Sequence, residues 1–341
     1  MVEPPTVGII ANPLSGRDVR RVAARGGVSS PQDKRNRIAR SVVGAVNAGA
    51  RRVLLMAEPF EISTGAVADL HLDAEIEVLD VEARLDAGDT ERAVRAMRER
   101  GTGALIVLGG DGTNRIVART WPGCVLVPMS TGTNNVFPTM VEATVAGAAA
   151  GLVVSGAVPV EEVAPRSKVV EVESTGAHGS GSDLALIDAV HLVDDFVGNK
   201  MPYEPDSIRT LVLARAEPAA IGVSSIGGLS LPCSEAADHG VLVRCGPGGH
   251  ALRAPLAPGL YRTVHVLSAT ELPLGTAVDI EPPGILAFDG DREIRLSDDP
   301  ATLTVTRNGP RVIDVGRAMA WAAESGVFLS PVAEGRDHNL I

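Results

Sequence analysis

Through the first half of the chain, short apolar runs alternate with segments whose apolar residues recur every three or four positions, the pattern of strands alternating with helices. Runs at 7–11, 52–56, 76–81, 105–108 and 125–129 read as strands. Helices are expected at about 37–48 and after Asp89, which would cap a segment carrying Ala93, Val94 and Met97 on one face. A third follows the stripe Phe137, Val141, Val145, Ala148 and Leu152. Pro138 falls in its first turn, where a missing N–H costs nothing, and Gly147 and Gly151 would let it approach a neighbour closely. Residues 17–37 hold six arginines, a Gly-Gly and a Ser-Ser-Pro and read as a solvated linker, a phosphate-facing role for Arg17 or Arg20 being the lesser reading. Strand, helix, strand, helix predicts a parallel sheet flanked by helices.

From about Ser167 the rhythm changes. Short runs at 169–172, 184–193, 211–214, 241–245, 264–267, 285–288, 302–306 and 312–315 are separated by Pro and Gly, with little helical periodicity. That predicts an all-β second domain, with hairpin turns at Asp289-Gly290 and Asn308-Gly309. The expected fold class is an α/β nucleotide domain at 1–160 followed by a β-rich acceptor domain at 161–315. Residues 316–341, helix-like over 316–324, would return to the first domain.

The chemistry sits where strands end. Residues 105–114, Leu-Ile-Val-Leu-Gly-Gly-Asp-Gly-Thr-Asn, carry a buried strand into a loop of three glycines around an acid. Without Cβ atoms such a backbone can approach a polyanion while successive N–H groups form an anion-binding nest. Ser130-Thr-Gly-Thr-Asn-Asn135 repeats the pattern on the next strand, and Asn12-Pro13 with Ser15-Gly16 repeats it on the first. Ligands of open α/β sheets lie outside the carboxyl ends of the strands, so these loops point to a nucleotide site. Each also has a plainer reading, a tight turn or a helix cap. Asp289-Gly290-Asp291 reads equally well as a hairpin turn alone, and Asp188, His191, Asp194 and Asp195 as a solvated acidic loop or a metal site.

Composition narrows the choices. At 341 residues and 45 % hydrophobic, the chain suits two domains with cores of their own. A net charge of −11 argues against nucleic acid or an anionic membrane as partner. None of the three lysines, Lys34, Lys168 and Lys200, follows a glycine, so a Walker loop is absent and phosphate charge must be met by backbone amides, arginines or a metal. Three cysteines without C-x-x-C spacing and histidines without H-x-x-x-H or H-x-H spacing disfavour a disulfide framework and a zinc enzyme. An N-terminus with Glu3, Pro4 and Pro5, and an apolar stretch at 145–158 shorter than the ~18 residues of a membrane span, predict a cytoplasmic protein without a span.

The Gly-Gly-Asp-Gly-Thr loop, with the early Asn-Pro-x-Ser-Gly and the later Ser-Thr-Gly-Thr-Asn-Asn, resembles the superfamily of NAD kinases, diacylglycerol and sphingoid lipid kinases and 6-phosphofructokinases. Within it the chain is most similar to the acetoin-catabolism X-protein group, described as ATP-NAD kinase-like, over nearly its whole length. The resemblance implies an ATP- and Mg²⁺-dependent kinase with its site in the cleft between the domains. It places Asn12, Ser15 and Gly16 in the first nucleotide loop, Gly109, Gly110, Gly112, Thr113 and Asn114 in the diphosphate loop, and Ser130, Thr131, Gly132, Thr133 and Asn134 beside the phosphates. Asp111 matches the acid that positions or deprotonates the acceptor hydroxyl. Asp289 matches a second catalytic acid, and Asp289 with Asp291 a metal pair, Asp291 standing where the lipid kinases carry glutamate.

Departures bear on the acceptor. The chain lacks the Thr-Pro-Thr-Gly-Ser-Thr-Ala-Tyr stretch and the Asn-Glu pair with which NAD kinases hold the dinucleotide, and the phosphofructokinase Asp motif is replaced by Ser130-Thr-Gly-Thr. The expectation is therefore phosphorylation of a small-molecule hydroxyl, with NAD(H) the first acceptor to test. The alternatives are a lipid kinase and a catalytically silent nucleotide-binding regulator. A homodimer or tetramer is expected from an exposed sheet edge in the β domain.

Overall fold

The run TVGIIA forms β1 (Thr6–Ala11), buried along its whole length, in a computed structural model that describes residues 3–15, 29–132, 135–176, 179–296 and 299–329. Four more runs form β2 (Arg52–Leu55), β3 (Glu75–Val78), β4 (Ala104–Gly109) and β5 (Val125–Ser130). All pair in parallel, in the order β5-β4-β1-β2-β3. Between them run α1 (Pro31–Asn47), α2 (Ile62–Val67), α3 (Ala87–Glu99) and α4 (Asp111–Thr120), and after them come α5 (Ala143–Val154) and α6 (Val160–Val163). Residues of α1 and α5 pack with one face of the sheet and residues of α3 and α4 with the other. The chain leaves β1 toward β2 on one side and comes back as β4 on the other. The crevice between the carboxyl ends of β1 and β4 is thus the switch point at which such sheets bind ligands.

The second half is antiparallel: β6 (Val169–Gly176), β7 (Gly179–Ala185), β8 (Asp188–Leu192), β9 (Ile208–Leu213), β10 (His239–Ala257), β11 (Leu260–Pro273), β12 (Ala277–Ile280), β13 (Gly284–Phe288), β14 (Asp291–Leu296) and β15 (Ala301–Thr306), with the short helix α7 (Ser224–Ser230) between β9 and β10. They form two sheets, β11-β10-β9-β8-β13-β14 and β12-β15-β6-β7, which share a core that includes Val212, Leu286, Phe288 and Leu303. The 184–193 run is two strands of different sheets. The chain then returns: β16 (Arg311–Val312) pairs in parallel with β5, and α8 (Val315–Glu324) places Ala318 and Ala322 in the core beneath α5.

Several sequence expectations change. Helix α1 starts at Pro31, well before 37, because Ser30 forms a capping box with Asp33 and proline suits the first turn. Asp89 caps nothing; α3 begins at Ala87, and the Asp89 carboxylate accepts the N–H groups of Arg84 and Leu85 at 2.8 and 2.7 Å. The third helix begins at Ala143, with Glu142 as its cap, so Phe137, Pro138 and Val141 precede it and Val145 is exposed. Asn308-Gly309 is no hairpin turn, since the strand after it, only Arg311–Val312, joins the parallel sheet.

The buried face of α5 is Ala and Gly because α1 lies directly on it. A Cβ on Gly147 would stand 2.1 Å from the Ser41 carbonyl oxygen, and one on Gly44 would stand 2.0 Å from that of Thr144. Backbone cannot yield as a side-chain tip can. Gly147→Ala is therefore expected to cost about 2 kcal/mol in urea denaturation; an unchanged midpoint would show that the helices separate freely.

Candidate functional site

Three loops at the carboxyl ends of the parallel sheet are laced together. At the end of β1 the Asn12 side-chain amide donates to Thr113 Oγ1 at 2.9 Å, and its Oδ1 accepts the Leu14 N–H at 2.9 Å. The Ser15 hydroxyl lies 3.0 Å from that of Thr131, joining the first loop to the third. Within the third loop the Ser130 hydroxyl donates to the Gly132 carbonyl at 2.7 Å and accepts from the Asn135 amide at 2.8 Å. Two glycines of the turn after β4 lie close to polar side-chain tips. A Cβ on Gly110 would meet Asn135 Oδ1 at 2.8 Å, and one on Gly112 would meet Asp291 Oδ2 at 3.2 Å.

Asp111, the first residue of α4, is held by the chain beyond the third loop. Its Oδ1 accepts the Phe137 N–H at 2.8 Å, and both oxygens lie 3.1 Å from the Val136 nitrogen. The Val136 carbonyl in turn accepts from Arg215, whose guanidinium lies 5.5 Å from the centre of the Phe137 ring. An arginine of the antiparallel half thus fixes the peptide that fixes Asp111.

The second acid comes from the β13–β14 hairpin. Asp289 and Gly290 have φ of 49° and 93°, the twisted two-residue turn for which Asp-Gly is suited. The buried Asp289 carboxylate accepts the N–H groups of Leu186 and Ile187 at 2.8 Å each and of Asp188 at 3.3 Å, tying the hairpin to the β7–β8 connection. Burial, with the charge of Asp111, pushes its pKa up to about 7 against those N–H groups and Arg115. Its contribution to stability is full below the ordinary carboxylate range, because folded and unfolded chains are then both protonated. That contribution is lost as pH rises toward 7, where the unfolded chain has already released its proton. The stability gap between wild type and Asp289→Asn, read by urea denaturation, should therefore narrow from pH 4 to pH 8. A constant gap would mean an ordinary carboxyl.

One cavity of about 660 Å³ collects these parts, within the size range of small-molecule sites. Of the residues singled out from the sequence, Asn12, Pro13, Ser15, Gly110, Asp111, Gly112, Thr113, Gly132, Asn135, Asp188, Asp289, Gly290 and Asp291 line it, while His191, Asp194 and Asp195 do not. Gly109, Ser130 and Thr131 stand behind the lining, and Asn114 is fully buried with its amide on the Gly110 carbonyl at 2.9 Å. Gly16, Arg17, Arg20, Thr133 and Asn134 lie outside the described residues.

Several contributors were invisible in the sequence. Lys34, 1 % exposed, donates to the carbonyls of Asn12, Pro13 and Ser15 at 2.9, 2.8 and 2.8 Å and so holds the first loop. Arg37 Nη1 donates to the Ser130 carbonyl at 2.6 Å. Their only signal was position, on the helix after the first loop. Among the described residues the cations that line the cavity are Arg115, Arg119 and Lys200. Arg115 is paired with Asp183 and Glu293, Arg119 with Glu91 and Asp183, and the half-exposed Lys200 with Asp291 at 2.7 Å.

No group of three or more His, Cys, Asp or Glu among the described residues is placed to hold a metal by itself. Asp111, Asp289 and Asp291 around one cavity nonetheless fit Mg²⁺, which takes one or two carboxylates and completes its shell with water and substrate phosphates. Asp291 is the more available, since the Asp289 oxygens accept three backbone N–H groups and are almost fully buried.

No helix among the described residues is long and apolar enough to cross a membrane. Residues 7–157 match the ATP-NAD kinase N-terminal domain, and residues 168–308 the acetoin catabolism protein X C-terminal domain. Among solved structures, yeast NADH kinase complexed with NADH aligns with a TM-score of 0.54 at 10 % identity, covering 98 % of this chain and 91 % of that one. It shows a shared fold, a parallel sheet flanked by helices and joined to antiparallel sheets. Acetoin catabolism protein X of Cupriavidus necator is 36 % identical over 351 aligned positions, covering 97 % of each chain. At that identity and coverage the chain belongs to the acetoin catabolism protein X family.

Proposed function

We propose that the chain is an ATP-dependent phosphotransferase that phosphorylates the hydroxyl of a small molecule. The observation that carries the reading is the convergence on one cavity of the switch-point loops, the fixed Asp111 and the Asp289–Asp291 hairpin from the antiparallel half. The N–H groups around Gly110, Gly112 and Gly132 would hold the phosphates, with Asn12, Ser15 and Thr113 beside them, and Asp291 with Asp289 would face the metal. Mg²⁺, when bound, supplies charge neutralisation on the phosphates. Phosphoryl transfer passes through a loose transition state, so catalysis rests on positioning and charge. An aspartate fixed by backbone N–H groups suits that task, orienting the acceptor hydroxyl and taking its proton as the bond to phosphorus forms.

The reading carries a division into a nucleotide domain at 1–160 and an acceptor domain at 161–315, with the C-terminal segment docked on the first. It also carries a cytoplasmic location and a homo-oligomer, for which the long β11 offers a free sheet edge. The relative's printed name links that protein to acetoin catabolism, which favours a small acceptor over a lipid. Mg²⁺-ATP with a coupled assay for ADP release, run against NAD, NADH, diacylglycerol, sphingosine and small polyols, tests it. Acceptor-dependent release supports the reading. Absence of Mg²⁺-ADP binding in calorimetry would remove it.

A further inference from the structure

The antiparallel half lines the cavity with two groups of side chains, of which the first is the charged Asp188, Lys200, Asp289, Asp291 and Glu293. The second is an uncharged wall of Pro202, Tyr203, Ile221, Val223 and Leu256. Tyr203, Val223 and Leu256 are 6, 3 and 5 % exposed and belong to one core that runs on beneath β9 and β10, so the wall is firm.

Two tethers set this wall beside the acids. Arg292, next to Asp291, has its guanidinium 4.2 Å from the centre of the Tyr203 ring. It donates to the carbonyls of Asn199 and Met201 at 3.1 and 2.7 Å and pairs with Asp195 at 3.0 Å, which folds the segment after β8 back onto the hairpin. The Gly222 N–H donates to the Pro255 carbonyl at 3.0 Å and so ties the 221–223 turn to the end of β10, where Val223 and Leu256 share one core.

We propose that this end of the cavity is the acceptor subsite and that it takes a small alcohol with a compact apolar body, not a sugar or a dinucleotide. The inference rests on the phosphotransferase reading above. Hydroxyl or amide groups of a sugar or dinucleotide laid on this wall would meet no side-chain hydroxyl at its surface, the Tyr203 oxygen being buried, and each group left unpaired costs affinity. A hydrocarbon body gains by leaving water there. Size agrees, because a nucleoside triphosphate at the loop end takes up much of a cavity of about 660 Å³. In the transfer the acceptor oxygen bonds to the γ-phosphorus, the bond from that phosphorus to the β–γ bridging oxygen breaks, ADP keeps the electron pair, and the hydroxyl proton passes to Asp111.

The test uses the full chain with Mg²⁺-ATP and a series of 1,2-propanediol, 1,2-butanediol and 1,2-pentanediol beside glycerol, ribose and NAD. Turnover per unit KM should rise about fourfold for each added methylene. Glycerol, ribose and NAD should give background only. Ile221, only partly buried on the wall, is replaced by Trp to fill the subsite. Ile221→Trp should raise the KM for 1,2-pentanediol at least tenfold and leave the Kd for Mg²⁺-ADP within twofold. Saturation-transfer NMR of 1,2-pentanediol with Mg²⁺-ADP present reads the subsite even without turnover, and its signal should vanish in Ile221→Trp. A flat methylene series, efficient use of ribose or NAD, or no diol signal despite bound Mg²⁺-ADP overturns the subsite while the kinase reading stands. If Mg²⁺-ADP itself fails to bind, both fall.

Discussion

Replacing Asp111 with Asn is expected to lower turnover by roughly 10²–10⁴, the range for loss of a general base. The substitution changes little in volume but reverses one side of the group. Whichever way the new amide turns, one carboxylate oxygen that accepted the Val136 or Phe137 N–H becomes a donor facing a donor. A stability loss of about 1–3 kcal/mol should therefore accompany the kinetic one. The two effects separate by measurement. Turnover is read at 15 °C, where the folded fraction stays high, and the Kd for Mg²⁺-ADP is read by calorimetry on the same sample. A loss in turnover with affinity changed by less than threefold assigns the chemistry to Asp111. Equal losses in both would make the carboxylate a clamp between the second and third loops and nothing more. Arg215→Ala gives the complementary result: it frees the Val136 carbonyl while leaving the acid in place, so a drop in turnover of about tenfold, smaller than that of Asp111→Asn, is expected.

The parts of this fold readable from sequence are those specified by near neighbours. Asp289-Gly290 could be placed as a turn because a two-residue hairpin link needs positive φ at both positions, and Asp-Gly supplies it. The Gly-Gly-Asp-Gly loop could be placed because a buried strand ends there and a helix starts. Helix α5 departs from its sequence pattern for a physical reason. The stripe was drawn through the large residues Phe137, Val141 and Val145, but the packed face is made of Ala146, Gly147, Ala150 and Gly151, since α1 comes close enough for backbone to touch backbone. Volume is a poor guide where two helices meet at glycine. The start of α1 is hidden in the sequence because the Ser30–Asp33 box sits beside an arginine-rich stretch whose charge suggests a linker.

In the site, the loops were legible and their supports were not. Lys34 lies about twenty residues from the carbonyls it holds, Arg215 lies 79 residues from Val136, and Arg292 lies more than 90 from the carbonyls it meets. Nothing local to an arginine says which carbonyl it will reach. These groups follow from topology: the return of β13 beside β8 brings Arg292 to the segment after β8. The sequence has no Gly-Lys pair, and nothing in its composition says that one of the three lysines holds the first loop from behind.

Lys34→Met carries the second large expected effect. The ammonium is 1 % exposed, in the first turns of α1, where the helix dipole disfavours a cation. Its charge is tolerated there because the carbonyls of Asn12, Pro13 and Ser15 all turn toward it. Methionine fills similar space but donates nothing, leaving those carbonyls short of a partner, two of them in the turn that presents Asn12 to Thr113. The expected cost is about 3 kcal/mol in urea denaturation. A loop released from behind should also hold phosphate poorly, so the Kd for Mg²⁺-ADP is expected to weaken at least tenfold at temperatures where the variant remains folded. Lys34→Arg should not restore either property, because a guanidinium is too large for a closed site that fits one ammonium. A stable variant would show that water can replace the ammonium behind the loop. An unstable variant with unchanged affinity would show that the loop keeps its shape through the Asn12–Thr113 and Ser15–Thr131 links alone, leaving Lys34 with a role in folding and none in binding.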